Sequence, residues 1–159
     1  MLWMFSFVSF FLSEPNLSQI RETYKSALTN ESSVTTLIAI TQPHLNQSAT
    51  SRAFYATAKA LEARNATWVS TKLSNAKIAY NQLNTSVSKA PNDGEIRFLR
   101  FSFESRTPSV LVMKAHVKED KAFLIKNLKS TEPLWPIMKN FFNNCSDLTA
   151  AEKKSLITR

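Results

Sequence analysis

The chain has 159 residues, of which 43% are hydrophobic and 20% are charged, as is typical of one globular domain with its own core. It holds one glycine and one cysteine, which excludes glycine-rich phosphate loops, dinucleotide fingerprints, intrachain disulfides and multi-cysteine zinc sites. The net charge of +8 favours acidic partners, but the basic residues are scattered, so we expect a solvated basic surface and no specific nucleic-acid site.

The segment Met1 to Leu12 is uncharged and almost wholly apolar. It is too short to span a bilayer, which takes about 20 residues, and its length suits the apolar region of a signal peptide. We therefore expect residues 1–15 to direct export, with no stable membrane span after their removal. The alternative is that Met1 to Leu12 stays on the chain as a helix docked on the core, which would leave the protein cytoplasmic.

Four helices are predicted in the first half of the chain. Apolar residues three and four apart indicate an amphipathic helix from Leu17 to Leu28, and a short helix capped by Asn30 follows and stops at Pro43. An alanine-rich helix over residues 48–63 comes next. The fourth, over residues 70–89 with Ser70 as its cap, carries an apolar seam suited to an antiparallel neighbour.

A turn organises the centre of the chain. Pro91 cannot continue the preceding helix, and Asn92 followed three residues later by Glu95 is close to a capping box, so a new helix is predicted here. That helix is apolar around most of its circumference, which indicates a buried central helix. Its phenylalanines alternate with arginines, but because base stacking needs exposed rings, we expect them to be core residues.

Three further helices complete the prediction. One runs from Lys114 to Leu128, one opens at Glu132-Pro133 and continues through Phe142, and the last begins at the capping box of Thr149 and Glu152. The predicted fold is all-α, with six or seven helices in packed antiparallel hairpins and a single domain over residues 16–159.

Two resemblances accompany this pattern. The pair of helices over residues 48–63 and 70–89, followed by Pro91-Asn92, resembles the tetratricopeptide repeat, although its characteristic Trp and Leu-Gly positions and a second copy are missing. The block Glu95-Ile96-Arg97-Phe98-Leu99-Arg100, with Thr107-Pro108, Pro133-Leu134-Trp135 and the segment over residues 148–154, is similar to an uncharacterised bacterial family of small, exported, all-helical proteins. The resemblance implies a helical fold and export, and it implies no substrate.

The central helix also carries the candidate site, a polar stripe of Arg97, Arg100 and Glu104. One interpretation is structural: on an otherwise apolar helix, these residues form an ion pair with a neighbouring helix. The other is that the arginines line a groove for an anionic group or for the carboxyl terminus of a partner.

Catalytic chemistry finds little support in the sequence. His44 and His116 lack the spacing of metal ligands, Cys145 has no nucleophile signature, and no acid/base pair can be assembled, so we expect no enzyme, cofactor or metal. The predicted function is a non-catalytic helical interaction or scaffold module with a protein partner, in the periplasm or cell envelope. The alternative is a periplasmic protein that holds an anionic or lipid-like ligand in an interhelical groove.

Overall fold

The described part of the chain is helical. The structure is a computed structural model that describes residues 16–158, so the predicted export signal over residues 1–15 lies outside the described residues. Residues 16–158 contain eight α-helices, two 3-10 turns and no strand, which confirms the all-α class. The helices are α1 (Leu17–Ala27), α2 (Glu31–Thr41), α3 (Ala49–Asn65), α4 (Val69–Lys89), α5 (Gly94–Arg106), α6 (Val117–Asn127), α7 (Trp135–Asn144) and α8 (Ala150–Ile157), and the 3-10 turns are Gln42–His44 and Ser109–Leu111.

The predicted count of six or seven helices is wrong: the eight helical segments that the sequence indicates remain separate helices, and the short helices α2 and α8 have caps of their own. Asn30 accepts a hydrogen bond from the backbone N–H of Ser32 at 3.0 Å and caps α2, which is separated from α1 by only three residues. The capping box of Thr149 and Glu152 is confirmed at α8, where the Thr149 N–H donates to the Glu152 carboxylate at 2.8 Å. That bond, with help from Lys121, lowers the pKa of Glu152.

Two predicted caps are wrong by one or two residues. Asp93, not Asn92, caps α5, and its carboxylate accepts a hydrogen bond from the Ile96 N–H at 2.9 Å. A carboxylate is favoured over an amide there because it also meets the positive end of the helix dipole. Helix α4 begins at Val69, before the predicted cap Ser70, and its N-cap residue makes no side-chain hydrogen bond.

Helix α6 starts later than predicted, at Val117 in place of Lys114. The backbone N–H of His116 donates to Glu104 of α5 at 2.8 Å. This bond fixes His116 at the N-cap position of α6 and leaves residues 114–116 in a turn. A contact between two distant parts of the chain therefore sets this boundary, and local sequence does not.

The central position predicted for α5 is confirmed. Residues 95–102 are all buried, and α5 packs against α3, α4 and α6. Phe98 meets the rings of Phe141 and Phe142 on α7 edge to face, with centroids 5.6 and 5.7 Å apart. Phe98 and Phe101, which alternate with the arginines, are thus core residues, as expected.

Gly94 at the start of α5 is explained by close packing. Its φ is not in the left-handed region, so the turn does not need its conformational freedom. A Cβ here would lie 3.2 Å from Oε1 of Glu132 and 3.3 Å from Cδ1 of Leu128. Burial and the charges of Asp93 and Glu95 raise the pKa of Glu132.

The longest helices, α3 and α4, are joined by three residues and form the most extensive helix pair. Small buried side chains such as Ala53, Ala56 and Ala79 let them approach closely. The last turns of α1 and α5 lie beside the place where α3 ends and α4 begins. These helix ends do not close completely, and a cavity lies between them.

Candidate functional site

The predicted site residues lie in a buried ion-pair cluster between α5 and α6. Asp120 of α6 is fully buried and binds both arginines of the stripe. Its Oδ1 lies 2.8 Å from Nη1 of Arg97 and 2.7 Å from Nη2 of Arg100, and its Oδ2 lies 2.7 Å from Nε of Arg100. Arg100 therefore binds Asp120 through two parallel hydrogen bonds, the strongest geometry for an arginine–carboxylate pair. The interpretation as an ion pair with a neighbouring helix is confirmed.

Arg97 has further partners at the edge of the cluster. It binds the carboxylate of Glu119, and its Nε donates to the carbonyl oxygen of Pro91 at 2.8 Å. Burial alone would lower the pKa of Arg97, but its hydrogen bonds to Glu119 and Asp120 outweigh burial and raise it. The hydrogen bond between Arg97 and Glu119 also lowers the pKa of Glu119.

Glu104, the third predicted residue, pairs with α6 and not with Arg100. Its fully buried carboxylate accepts the backbone N–H of His116 at 2.8 Å and lies 2.7 Å from Nδ1 of the same residue. None of Arg97, Arg100 and Glu104 lines the cavity at the helix ends. The structure thus brings the three residues together along one helix contact and separates them from the open space.

The cavity lies between α1, α3, α4 and α5 and has a volume of about 330 Å³. Small-molecule sites in proteins span about 300–1,000 Å³ and are mostly apolar, so its size and character fit that class. Its walls are mainly aliphatic and aromatic, with Leu28, Leu61, Leu73, Leu99, Phe103 and Leu111 among the larger side chains.

Within the part of the chain that the structure describes, the cavity is lined by three exposed cations and no carboxylate: Arg64 from α3, Lys72 from α4 and Arg106 from α5. Among residues 16–158, no carboxylate lies within ion-pair distance of any of the three. Arg64 instead donates to the Leu28 carbonyl at 3.4 Å, and the guanidinium of Arg106 lies over the Phe141 ring, 4.9 Å from its centroid. The mouth of the cavity is positively charged and unneutralised by the described residues.

Tyr24 supplies the most informative group in the cavity wall. Only 4% of the residue is exposed, its ring packs edge to face on Phe54, and its hydroxyl has no hydrogen-bond partner among the described residues. Burial raises the pKa of Tyr24 to about 12, although the charges of Arg106 and Arg64 oppose the shift. The hydroxyl is therefore protonated at neutral pH and available as a donor.

The other hydroxyls in the wall are already satisfied. Thr57, Ser102 and Thr107 each donate to a backbone carbonyl of their own helix, at 2.8, 3.0 and 2.8 Å. Within the described residues, Tyr24 is the one lining hydroxyl that lacks a partner. The hydroxyl opens on the cavity and no described side chain accepts its proton, so a ligand in the cavity could accept it.

Sequence reasoning missed the cavity because its wall comes from four separate helices. One local signal was available at Lys72, in the first turn of α4. A cation there faces the positive end of the helix dipole, whereas Arg64 and Arg106 lie in last turns, where a cation is favoured. Helix stability therefore does not account for a cation at Lys72, which lines the cavity.

Other kinds of site are not formed by the described residues. Between residues 16 and 158, no helix has the length and apolarity needed to cross a membrane. In the same range, no three His, Cys, Asp or Glu side chains are grouped so that they could hold a metal ion, and Cys145 is buried. No protein-family model matches the chain, and no curated protein or solved structure matches it either.

Proposed function

We propose that this protein binds an amphiphile with an apolar chain and an anionic end group in the cavity between α1, α3, α4 and α5. One observation carries the proposal: an apolar cavity is lined by the Tyr24 hydroxyl, which has no partner among the described residues, and by three exposed cations. The apolar chain would fill the aliphatic interior. The anionic group would meet the cations and accept a hydrogen bond from Tyr24.

Charge supports an anion over a neutral or cationic ligand. The described residues place no carboxylate in the cavity wall, and Lys72 lies where the helix itself disfavours a cation. A carboxylate or phosphate ester would neutralise this mouth, whereas a cationic amphiphile would add to its charge. Our proposal therefore moves the anion-binding site from Arg97 and Arg100, where the sequence predicted a groove, to the cavity on another side of α5.

The first experiment measures affinity as a function of chain length. Native mass spectrometry of the purified full chain tests for a bound amphiphile, and calorimetry then measures octanoate, decanoate, dodecanoate and tetradecanoate. Each buried methylene is worth about 0.8 kcal/mol, so affinity should rise about fourfold per methylene until the chain outgrows the cavity. An affinity independent of chain length would refute the proposal.

The second experiment separates the cavity from general basicity. The triple variant Arg64→Gln/Lys72→Gln/Arg106→Gln should weaken dodecanoate binding while leaving dodecanol binding nearly unchanged. Lys89→Gln is the matched control for Lys72, since it removes one exposed lysine from the same helix, about 25 Å away at 1.5 Å per residue. Equal losses in Lys72→Gln and Lys89→Gln would show that only net charge matters.

The protein-interaction or scaffold module expected from the sequence is the second candidate. Large exposed apolar side chains near the cavity, Trp68 and Val110 among them, favour it. In that case an apolar helix of a partner would occupy the groove. Absence of any bound amphiphile, together with no dodecanoate binding, would favour this candidate over the first.

The fold and the location enter the proposal as well. We infer that the α3–α4 hairpin is a degenerate tetratricopeptide-like centre among antiparallel hairpins, and that the chain belongs with small exported bacterial helical proteins. Export to the periplasm or cell envelope fits a carrier of amphiphiles. Amino-terminal sequencing of protein from a periplasmic fraction would test it, and a retained Met1 would refute cleavage.

A further inference from the structure

Four large apolar side chains of the described residues are strongly exposed, and each is close in sequence to residues that line the cavity. Trp68 and Val69, 74% and 70% exposed, come just before the lining residues Lys72 and Leu73. Val110 and Val112, 82% and 85% exposed, stand on either side of the lining residue Leu111. Exposed apolar side chains gathered at one place on a soluble domain mark a contact surface. We call these four residues the apolar rim.

The backbone of the apolar rim is strained. Val112 has φ 51° and ψ 38°, in the left-handed region, and it is the only non-glycine residue between 16 and 158 with positive φ. A β-branched residue is rarely found there. Because Val112 is almost fully exposed, burial of its own side chain does not compensate for the strain. Strain of this kind concentrates at functional positions.

Charge identifies the partner that suits this end of the molecule. The apolar rim lies beside Arg64, Lys72 and Arg106, none of which has a carboxylate partner among residues 16–158. The nearby carboxylates, Glu31 and Glu62, line a separate depression on the α2 side of the α3–α4 loop, and Glu62 is bound by Lys59. The cavity end therefore presents protruding apolar groups among cations.

We propose that the apolar rim docks on the surface of an anionic lipid bilayer, with Arg64, Lys72 and Arg106 against the headgroups. Trp68 suits the membrane interface, where an amphipathic ring is most stable. A fluid lipid interface can close around each of these exposed side chains, whereas a rigid protein partner has to match all of them at once. The cavity mouth would then face the membrane. An amphiphile could pass directly between the cavity and the bilayer, a consequence that rests on the proposed function.

The experiment reports on Trp68 in the full chain. Trp3→Phe and Trp135→Phe together leave Trp68 as the sole tryptophan. Vesicles of phosphatidylcholine and phosphatidylglycerol in equal parts should shift its emission to the blue, and brominated acyl chains should quench it. Vesicles of phosphatidylcholine alone should bind more weakly, by about fivefold for each cation that meets an anionic headgroup.

Variants separate the apolar rim from the apolar amino-terminal segment. Val110→Ser/Val112→Ser should lower partition into the mixed vesicles by about tenfold or more, since each removes an exposed apolar group. Arg64→Gln/Lys72→Gln/Arg106→Gln should lower it too, and the charge-matched Lys77→Gln/Lys89→Gln/Lys139→Gln should lower it less. Vesicle binding with unshifted Trp68 emission would show that another segment inserts, and would overturn the proposal.

The two proposals fail separately. Dodecanoate binding without vesicles tests the cavity, and vesicle binding without added amphiphile tests the apolar rim. If dodecanoate binds and Trp68 never shifts, docking is wrong and the proposed function stands. If the serine variants keep full vesicle partition but lose a protein partner, the apolar rim is a protein interface and the bilayer proposal is wrong.

Discussion

Two groups of cations lie on neighbouring stretches of this fold and have opposite surroundings. Arg97 and Arg100 are 8% and 4% exposed, and both are bound to the buried carboxylate of Asp120. Lys72 and Arg106 are exposed at the mouth of an apolar cavity and have no carboxylate partner among the described residues. Arg100 and Arg106 even share helix α5, less than two turns apart.

The two groups of cations differ in their partners more than in their sequence context. A cation bound to a buried carboxylate serves the fold, whereas an exposed cation without a carboxylate partner is available to bind a ligand. A buried ion pair is costly to break because one partner then remains charged and desolvated. An exposed cation beside a cavity can be removed at little cost to the fold, and its removal is felt by whatever binds there. The buried cluster should therefore respond in stability and the cavity in affinity.

The largest expected effect lies at Asp120. The substitution Asp120→Ala leaves Arg97 and Arg100 buried without their carboxylate, so the free energy of unfolding should fall by about 3–5 kcal/mol. Urea unfolding followed by circular dichroism measures this loss. Dodecanoate affinity, measured under conditions where the variant is folded, should stay within about twofold, because Asp120 does not line the cavity.

The apolar replacement Arg97→Met/Arg100→Met/Asp120→Leu is the control for that prediction. Removing the charges of Arg97, Arg100 and Asp120 together leaves none of the three as an isolated buried ion. This variant should therefore recover most of the stability lost in Asp120→Ala. A loss of dodecanoate binding in this stable variant would assign the stripe to a ligand after all, and would contradict the contrast between the two groups.

The sequence predicts the stripe better than the cavity for a physical reason. Arg97 and Arg100 stand out because they interrupt an apolar helix, and periodicity along one helix is a local property. Their carboxylate, Asp120, comes from a helix whose packing no local pattern specifies. Periodicity likewise located the helices and the buried position of α5, whereas the cap of α5 and the start of α6 depend on competition among neighbouring residues and on a distant contact.

The cavity has no local pattern at all. Tyr24 appears as one more apolar position of an amphipathic helix, and only packing shows that its hydroxyl lacks a partner. The exposure of Val110 and Val112 is likewise a result of packing, because apolar residues do not by themselves indicate a surface position. The unfavourable position of Lys72 becomes visible only once the start of α4 is known.

A smaller effect, of opposite sign, is expected at the apolar rim. Val112→Gly removes a β-branched residue from the left-handed region, which costs a non-glycine residue about 1–2 kcal/mol, and the greater chain entropy of glycine offsets part of this gain. Thermal and urea unfolding should show a net increase in stability of about 0.5–1 kcal/mol. The matched control is Val110→Gly, at a position without positive φ, which should lower stability. Equal effects of both substitutions would show that Val112 is not strained.

The edge of the buried cluster gives a pH-dependent effect of a few tenths of a kcal/mol. The bond to Arg97 lowers the pKa of Glu119 in the folded state, so its stabilisation is present above the unfolded pKa of about 4.3 and is lost as the pH falls through the folded pKa. Since 56% of the Glu119 side chain is exposed, solvent screens most of this gain. Glu119→Gln should therefore be slightly less stable than the parent at pH 7, and the difference should shrink as the pH falls below the unfolded pKa of Glu119. A stability difference that grows on acidification would contradict this assignment.

The smallest effect on stability, and the clearest one on binding, is expected at Tyr24. Tyr24→Phe removes a hydroxyl that opens on the cavity and has no partner among the described residues, so the melting temperature should change little. Dodecanoate affinity should fall about tenfold, because a hydrogen bond to a charged group is worth at least about 1.5 kcal/mol. Tyr55→Phe, on α3 and outside the cavity wall, is the control and should change neither quantity. A Tyr24→Phe variant that loses stability and keeps its affinity would place Tyr24 with Arg97 and Arg100, among residues that hold the fold together.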